Sequence, residues 1–368
     1  MAELLKNIFF TNETIKSLSN AVKRVYPSFD EIRFKKCIYS DDWKTLELKQ
    51  KMRHVSSCLH QNLPDNYYDS LEILEKIAPE IKGFEAMTLP DFVEHYGIEF
   101  FNRSLEALAF FTRYSSSEFA IRPFIRKDQK KVMAFMFKLT DSDHEWVRRF
   151  SSEGCRPRLP WAVSLPQLQK DPSQVLPILE KLKDDPSETV RKSVANNLND
   201  ISKDHPDLVI KLCRKWIGES PNTDKVIKHG LRTLLKEGKT EALRLFGYAD
   251  PDQIEISLLT LSKGIITIGD NGSFKVRLIN KDKIAVKLRL EYAIYYRKSK
   301  GQLSKKVFQI IEKEFAPGIH EIKRKLSFQD MTTRKHYPGE HFLSFIINGK
   351  EMARSSFHLS LSGSIEKK

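Results

Sequence analysis

The chain has 368 residues, 40% of them hydrophobic, with 62 Lys+Arg against 48 Asp+Glu, a formal net charge of +14 and a pI of about 9.4. That is enough chain for two or three cores, and a balance this basic favours a polyanionic partner. No run approaches membrane-spanning length, MAELLKNIFF lacks the apolar core of a secretory signal, and Cys37, Cys58, Cys155 and Cys213 form no C-x-x-C pair. These features argue against a membrane partner, a zinc ribbon and a disulfide framework; a soluble, cytoplasmic, metal-free protein is expected.

The first 250 residues read as helix. Asn12 is an N-cap candidate for ETIKSLSNAVKRV, with Ile15, Leu18, Ala21 and Val22 as its buried stripe. Further helices are expected over 41–61, 67–77, 89–96 and 102–111, and all look like scaffolding. From Asp141 the chain reads DSDHEWVRRFSSEGCRPRLPWA. Trp146, Val147, Phe150 and Gly154 can share one helical face, while Arg149, Ser152, Glu153 and Arg156, at i, i+3, i+4 and i+7, form a polar one. Gly154, Pro157 and Pro160 stop the helix, and Trp161 follows on the turn. Arg149, Arg156 and Arg158 thus crowd one short segment, and arginine forks suit phosphates. A solvated helix face is the plainer account of Arg149 and Glu153.

LTDSDHEWVRRFSSEG superimposes on LKDDPSETVRKSVANN with Val147 on Val190, an offset of 43 residues, which is the period of HEAT-like helix pairs stacked into a solenoid. Weaker copies begin at Asp224 and Ser115. In this register Lys192, Asn196 and Asp200, then Lys228, His229 and Arg232, join Arg149 and Glu153 along one concave wall. Cations there would meet phosphates, leaving the acids for another task.

After a short linker, ADPDQ, the texture changes to seven strands: 255–261, 273–280, 285–296, 305–314, 318–326, 341–347 and 353–361. Turn signals such as Asn348-Gly349 lie between them. This is the pattern of an immunoglobulin-like β-sandwich. Residues 251–368 hold 22 Lys+Arg against 12 Asp+Glu. Basic stretches such as YYRKSKGQLSKK and TTRKH could face a nucleic-acid backbone or simply solubilise the surface. The expected fold is multi-domain, α and β: an all-α HEAT-like solenoid over 1–250 and a basic, DNA-contacting immunoglobulin-like β-sandwich over 251–368.

SSSEFAIRPF, VRRFSSEGCRPRLPWA and VRKSVANNLNDISKDHP together resemble the AlkC branch of the AlkC/AlkD-like HEAT-repeat DNA alkylation repair glycosylases. The resemblance implies excision of cationic alkylated bases, 3-methyladenine and 3-methylcytosine, from duplex DNA while the base stays in or near the stack. It implies Glu118, Asp200 and Trp161 as catalytic residues, with Arg149 and Arg156 contacting DNA or supporting the site. Arg158 joins the DNA-binding candidates from the arginine-rich turn, and Lys192, Asn196 and Arg232 join by repeat register. A monomeric, monofunctional enzyme without cofactor is expected. Each residue also has a duller account. Glu118 would open a helix, Asp200 would pair with Lys203 or face solvent, Trp161 would plug a core and His229 would be a packed imidazole. The alternative function is a non-catalytic HEAT scaffold binding DNA or protein. The catalytic assignment requires Glu118 and Asp200 on one side of the molecule, neither sealed inside packing.

Overall fold

The computed structural model describes residues 8–40, 42–248, 250–330 and 335–361. It divides into two compact units, Met1–Gly230 and Leu231–Lys368.

The first unit is helical: α1 (Asn12–Val25), α2 (Glu31–Ile38), α3 (Leu48–His60), α4 (Tyr67–Ile77), a 3-10 turn (Phe84–Met87), α5 (Thr88–Tyr96), α6 (Phe101–Phe111), α7 (Arg122–Lys127), α8 (Gln129–Leu139), α9 (Glu145–Glu153), α10 (Pro166–Lys170), α11 (Leu176–Leu182), α12 (Glu188–Ile201), α13 (Pro206–Trp216) and α14 (Pro221–Gly230). The N-cap of α1 is Thr11, whose Oγ1 accepts from Thr14 N at 3.3 Å, one residue before the expected Asn12. The helix expected over 41–61 begins only at Leu48, because residues 42–45 form a turn and Gln50 Oε1 accepts from Glu47 N at 2.8 Å to close the helix start; Asp41 itself lies outside the described residues.

The repeat register is written in hydrogen bonds. Arg148 Nη1 donates to Ser142 O and Asp143 O, and 43 residues on Arg191 Nη1 donates to Asp185 O and Pro186 O. Arg148 also grips Asp185 through both carboxylate oxygens, at 2.7 and 3.0 Å, stitching one copy to the next. The copy beginning at Asp224 breaks after α14. One expectation about the cysteines is corrected. Cys37 on α2 and Cys58 on α3 are joined as a disulfide, with Cα atoms 5.8 Å apart, while Cys155 and Cys213 are free and buried. Sparse cysteines far apart in sequence gave no sign of that proximity.

The second unit begins with α15 (Arg232–Lys236) and α16 (Thr240–Leu245), so contacts divide the chain before the 250/251 texture change. Lys287 Nζ donates to Phe246 O at 2.8 Å and helps hold this helical lead-in to the strands. Among the described residues eight strands follow: β1 (Ile254–Leu261), β2 (Ile265–Thr267), β3 (Asn271–Asn280), β4 (Val286–Arg297), β5 (Leu303–Phe315), β6 (Gly318–Ser327), β7 (Gly339–Ile347) and β8 (Lys350–Ser360). They form sheets ordered β1-β3-β6 and β2-β8-β7-β4-β5, a sandwich of immunoglobulin type. Phe274, Leu288, Leu290, Leu343, Phe345 and Phe357 help fill its core. β2, three residues pairing parallel to β8, is the strand the sequence pattern did not reveal. The Asn348-Gly349 turn takes positive φ at both residues, as a tight hairpin requires. TTRKH falls mostly outside the described residues.

Candidate active site

α9 buries Val147, Phe150 and Ser151, with Gly154 continuing that row. Trp146, expected in this row, is 41% exposed: it is one residue, about 100°, off the stripe. The polar face turns inward, towards α12. Asn197 Nδ2 donates to Ser152 O at 2.8 Å, fixing α12 against α9, and Asp200 lies three residues further along the same face of α12.

Alternating charges run across this seam. Arg149 Nη1 pairs with Glu118 Oε1, and Arg149 Nη2 lies 3.7 Å from Glu153 Oε1. Arg156 Nη1 pairs with the same Glu153 oxygen at 2.7 Å, and Arg156 Nε donates to Asp200 Oδ2 at 2.9 Å. Lys203 Nζ closes the run, 3.4 Å from Asp200 Oδ1. Glu118 and Asp200 are thus the two terminal acids of one connected network. Glu118 sits in the turn before α7 and is engaged by Arg149, so it does not merely open a helix. The expected Asp200–Lys203 pair is present, but Asp200 is also bound by Arg156 and is buried.

Burial changes two expectations. Glu118 is 3% exposed, Asp200 2%, Glu153 6% and Arg156 7%. The two acids share one side through this network, but the requirement that neither be sealed inside packing is not met: both are enclosed, paired with the more exposed Arg149, whose side chain is 24% exposed, and Lys203, at 42%. Arg156 is committed to Glu153 and Asp200, so here it supports the acids and presents no free fork to a phosphate. Burial pushes the Glu118 carboxyl above the ordinary range, opposed by the Arg149 guanidinium. Glu118 Oε2 is buried without a hydrogen-bond partner, which costs free energy unless water or substrate completes it.

The turn carrying Trp161 is held by cationic side chains that donate to its carbonyl oxygens. Arg122, 1% exposed, donates from Nη1 to Gly154 O at 3.3 Å and Arg156 O at 2.9 Å, and from Nε to Val163 O. Burial pulls the Arg122 guanidinium down to about 10. Arg126 Nη2 reaches Ser164 O at 2.9 Å, and Lys49 Nζ, from α3, reaches Trp161 O. Trp161 has φ +65° and is 74% exposed. It is therefore no core plug. A left-handed backbone at a bulky residue costs about 1–2 kcal/mol, and the clasp around it resists relaxation. Sequence reasoning missed Lys49, Arg122 and Arg126. Only the presence of arginines just after Glu118 hinted at the last two.

The remaining candidates are more superficial. Arg158 makes a two-pronged pair with Asp204 at 3.1 and 2.7 Å. Lys192 pairs with Glu188 at 2.7 Å, and Asn196 Oδ1 lies 3.2 Å from His229 Nε2. Arg191, Lys192, Asn196, Lys225 and His229 line an open groove of about 370 Å³ between α12 and α14. Arg232 belongs to the second unit. Among the described residues, no group of three or more His, Cys, Asp or Glu side chains is arranged to hold a metal ion.

A family model described as "DNA alkylation repair enzyme" matches residues 112–241, and one described as "Uncharacterised protein YhaZ, C-terminal Ig-like domain" matches residues 255–361. The chain is 47% identical over 347 residues to uncharacterized protein YhaZ of Bacillus subtilis, covering 94% of this chain and 96% of that one. Among solved structures it is similar to Pseudomonas fluorescens alkylpurine DNA glycosylase AlkC bound to DNA containing an abasic site analog. That match has a TM-score of 0.92 and 39% identity, over 97% of this chain and 99% of that one.

Proposed function

Because the chain belongs to the AlkC branch of the AlkC/AlkD-like DNA alkylation repair glycosylases, we propose that it hydrolyses the N-glycosidic bond of 3-methyladenine and 3-methylcytosine in duplex DNA. Such bases carry a fixed positive charge. When the bond to C1′ breaks, the electron pair goes to the base nitrogen and the base leaves neutral, without needing a proton. Water then bonds to C1′ and gives up a proton. The protein's task is to stabilise positive charge on the sugar and to aim that water.

The connected acids at Glu118 and Asp200, with an exposed indole on the turn that follows Arg156, carry this reading. Glu118, whose buried Oε2 has no hydrogen-bond partner, directs the water once Arg149 is drawn away. Asp200, held by Arg156 and Lys203, is the second acid and stabilises positive charge on the sugar once DNA draws Lys203 aside. A carboxylate about 5 Å from the developing charge, at an effective dielectric of about 20, contributes about 3 kcal/mol, or about 10²-fold in rate. Trp161 offers its face to the cationic base or the sugar, worth about 0.5–2 kcal/mol. Arg149 is the cover that moves: a DNA phosphate competes for its guanidinium and uncovers Glu118.

Arg158, Lys192 and Asn196 grip the backbone, and the basic β-sandwich provides a second grip. An outward-facing indole supports excision without flipping the nucleotide into a pocket. The product is a free base and an abasic site, without strand cleavage. Mass analysis of bases freed from methylated duplex DNA tests this: release of the two methylated bases under turnover supports it, and salt-dependent binding with no base released supports the scaffold alternative and refutes it.

A further inference from the structure

The N-terminal helices are more than scaffolding at one point. Lys49, near the start of α3, donates from Nζ to Trp161 O, 112 residues away in sequence. The same ammonium lies 4.3 Å from the ring centroid of Phe119, the residue after Glu118. It therefore joins the two segments that carry the aromatic and one of the acids. Behind it on α5 are Asp91, 2% exposed, and Glu94. Arg53 holds Asp91 through two bonds of 2.8 Å and lies 3.6 Å from Glu94. Partial burial lowers the Lys49 ammonium, and the charges of Glu94 and Asp91 oppose that.

The contact falls on the residue where the backbone is strained. Trp161 has φ +65° and exposes most of its ring, so little packing holds the indole in place. Without a donor on its carbonyl, the peptide is free to relax towards the extended region, and the ring goes with it. Arg122 and Arg126 clamp Val163 O and Ser164 O, further along the turn.

We propose that Lys49 is a positioning residue for base excision, holding the Trp161 carbonyl so that the indole stands beside Glu118. This rests on the role given to Trp161 above.

A double-mutant cycle tests it. Single-turnover release of 3-methyladenine from methylated duplex is measured for wild type, Lys49→Met, Lys49→Arg, Trp161→Ala and Lys49→Met/Trp161→Ala. Affinity for an abasic-site duplex is measured across salt concentrations. Lys49→Met is expected to slow release about tenfold, the size of one lost charged hydrogen bond. It should leave the salt slope unchanged, and Lys49→Arg should restore most of the rate. In the Trp161→Ala background Lys49→Met should cost nothing further. The proposal is overturned by an equal loss in both backgrounds, by no loss from Lys49→Met in the otherwise wild-type protein, or by a salt slope reduced by about one, the mark of a direct phosphate contact. If Trp161→Ala itself releases base at the wild-type rate, the role given to Trp161 fails first, and the proposal with it.

Discussion

Arg156 donates through Nε to Asp200 Oδ2 at 2.9 Å, and both side chains are nearly excluded from solvent. Removing the guanidinium leaves these two buried carboxyl groups, Asp200 and Glu153, with weaker partners, Lys203 at 3.4 Å and Arg149 at 3.7 Å. Arg156→Met should therefore lower the free energy of unfolding by about 3–5 kcal/mol, measured by urea denaturation at neutral pH. Adding Asp200→Asn should recover part of the loss, because one of the weakly partnered charges is then gone.

Glu118 carries a stability cost of opposite kind. Burial raises its carboxyl, and Arg149 offsets this only in part. The folded state thus holds the proton more tightly than the unfolded chain, so stability falls as pH rises from the ordinary carboxylate range through the raised value. At neutral pH, Glu118→Gln should raise the thermal midpoint while abolishing excision. Thermal midpoints and release rates on the same preparations would check both. Arg149→Met should raise the Glu118 carboxyl further and shift the acid limb of the pH–rate profile upward.

Glu94 gives a second pH signal. Burial first, then Asp91, pushes its carboxyl up to about 7, while Arg53 and Lys49 oppose the shift. By the same sign, the thermal midpoint should decline as pH rises through this window. Glu94→Gln should flatten that decline; an unchanged profile would assign it elsewhere.

In the second unit, Gly349 has φ +78°, and a Cβ there would stand 2.1 Å from Gly238 Cα. The hairpin tip meets the turn between α15 and α16 backbone to backbone. Gly349→Ala should destabilise this unit by about 2–4 kcal/mol, read by calorimetry, because both φ and space forbid the methyl group.

What was legible in the sequence follows from how local each signal is. The α9 stripe, the Asn348-Gly349 turn and most strands rest on neighbouring residues, and they appear close to where they were expected. Trp146 was misplaced because adjacent residues on a helix differ by 100°, and either can begin a stripe. Arg148 and Arg191 were matched by repeat, yet the equivalent carbonyls that each one binds within its own copy emerged only in the fold. Glu118, Asp200 and Trp161 were found by family resemblance; spacing alone would have left Glu118 as a helix-opening acid. Lys49 had no signature at all, and Arg122 only its place just after Glu118, since both bind backbone carbonyls, which every residue carries. The depth of Arg156 was hidden for a related reason. An arginine that grips a phosphate and one that braces two carboxylates look alike until their neighbours are known.

The central claim is that Glu118 and Asp200 act on the sugar as the base departs. It is tested most directly by single-turnover base release from 3-methyladenine duplex with Glu118→Gln and Asp200→Asn, alongside their affinity for an abasic-site duplex. Each variant should bind the product duplex near wild-type strength and release base at least about 100-fold more slowly. Wild-type release rates in both variants would contradict the account.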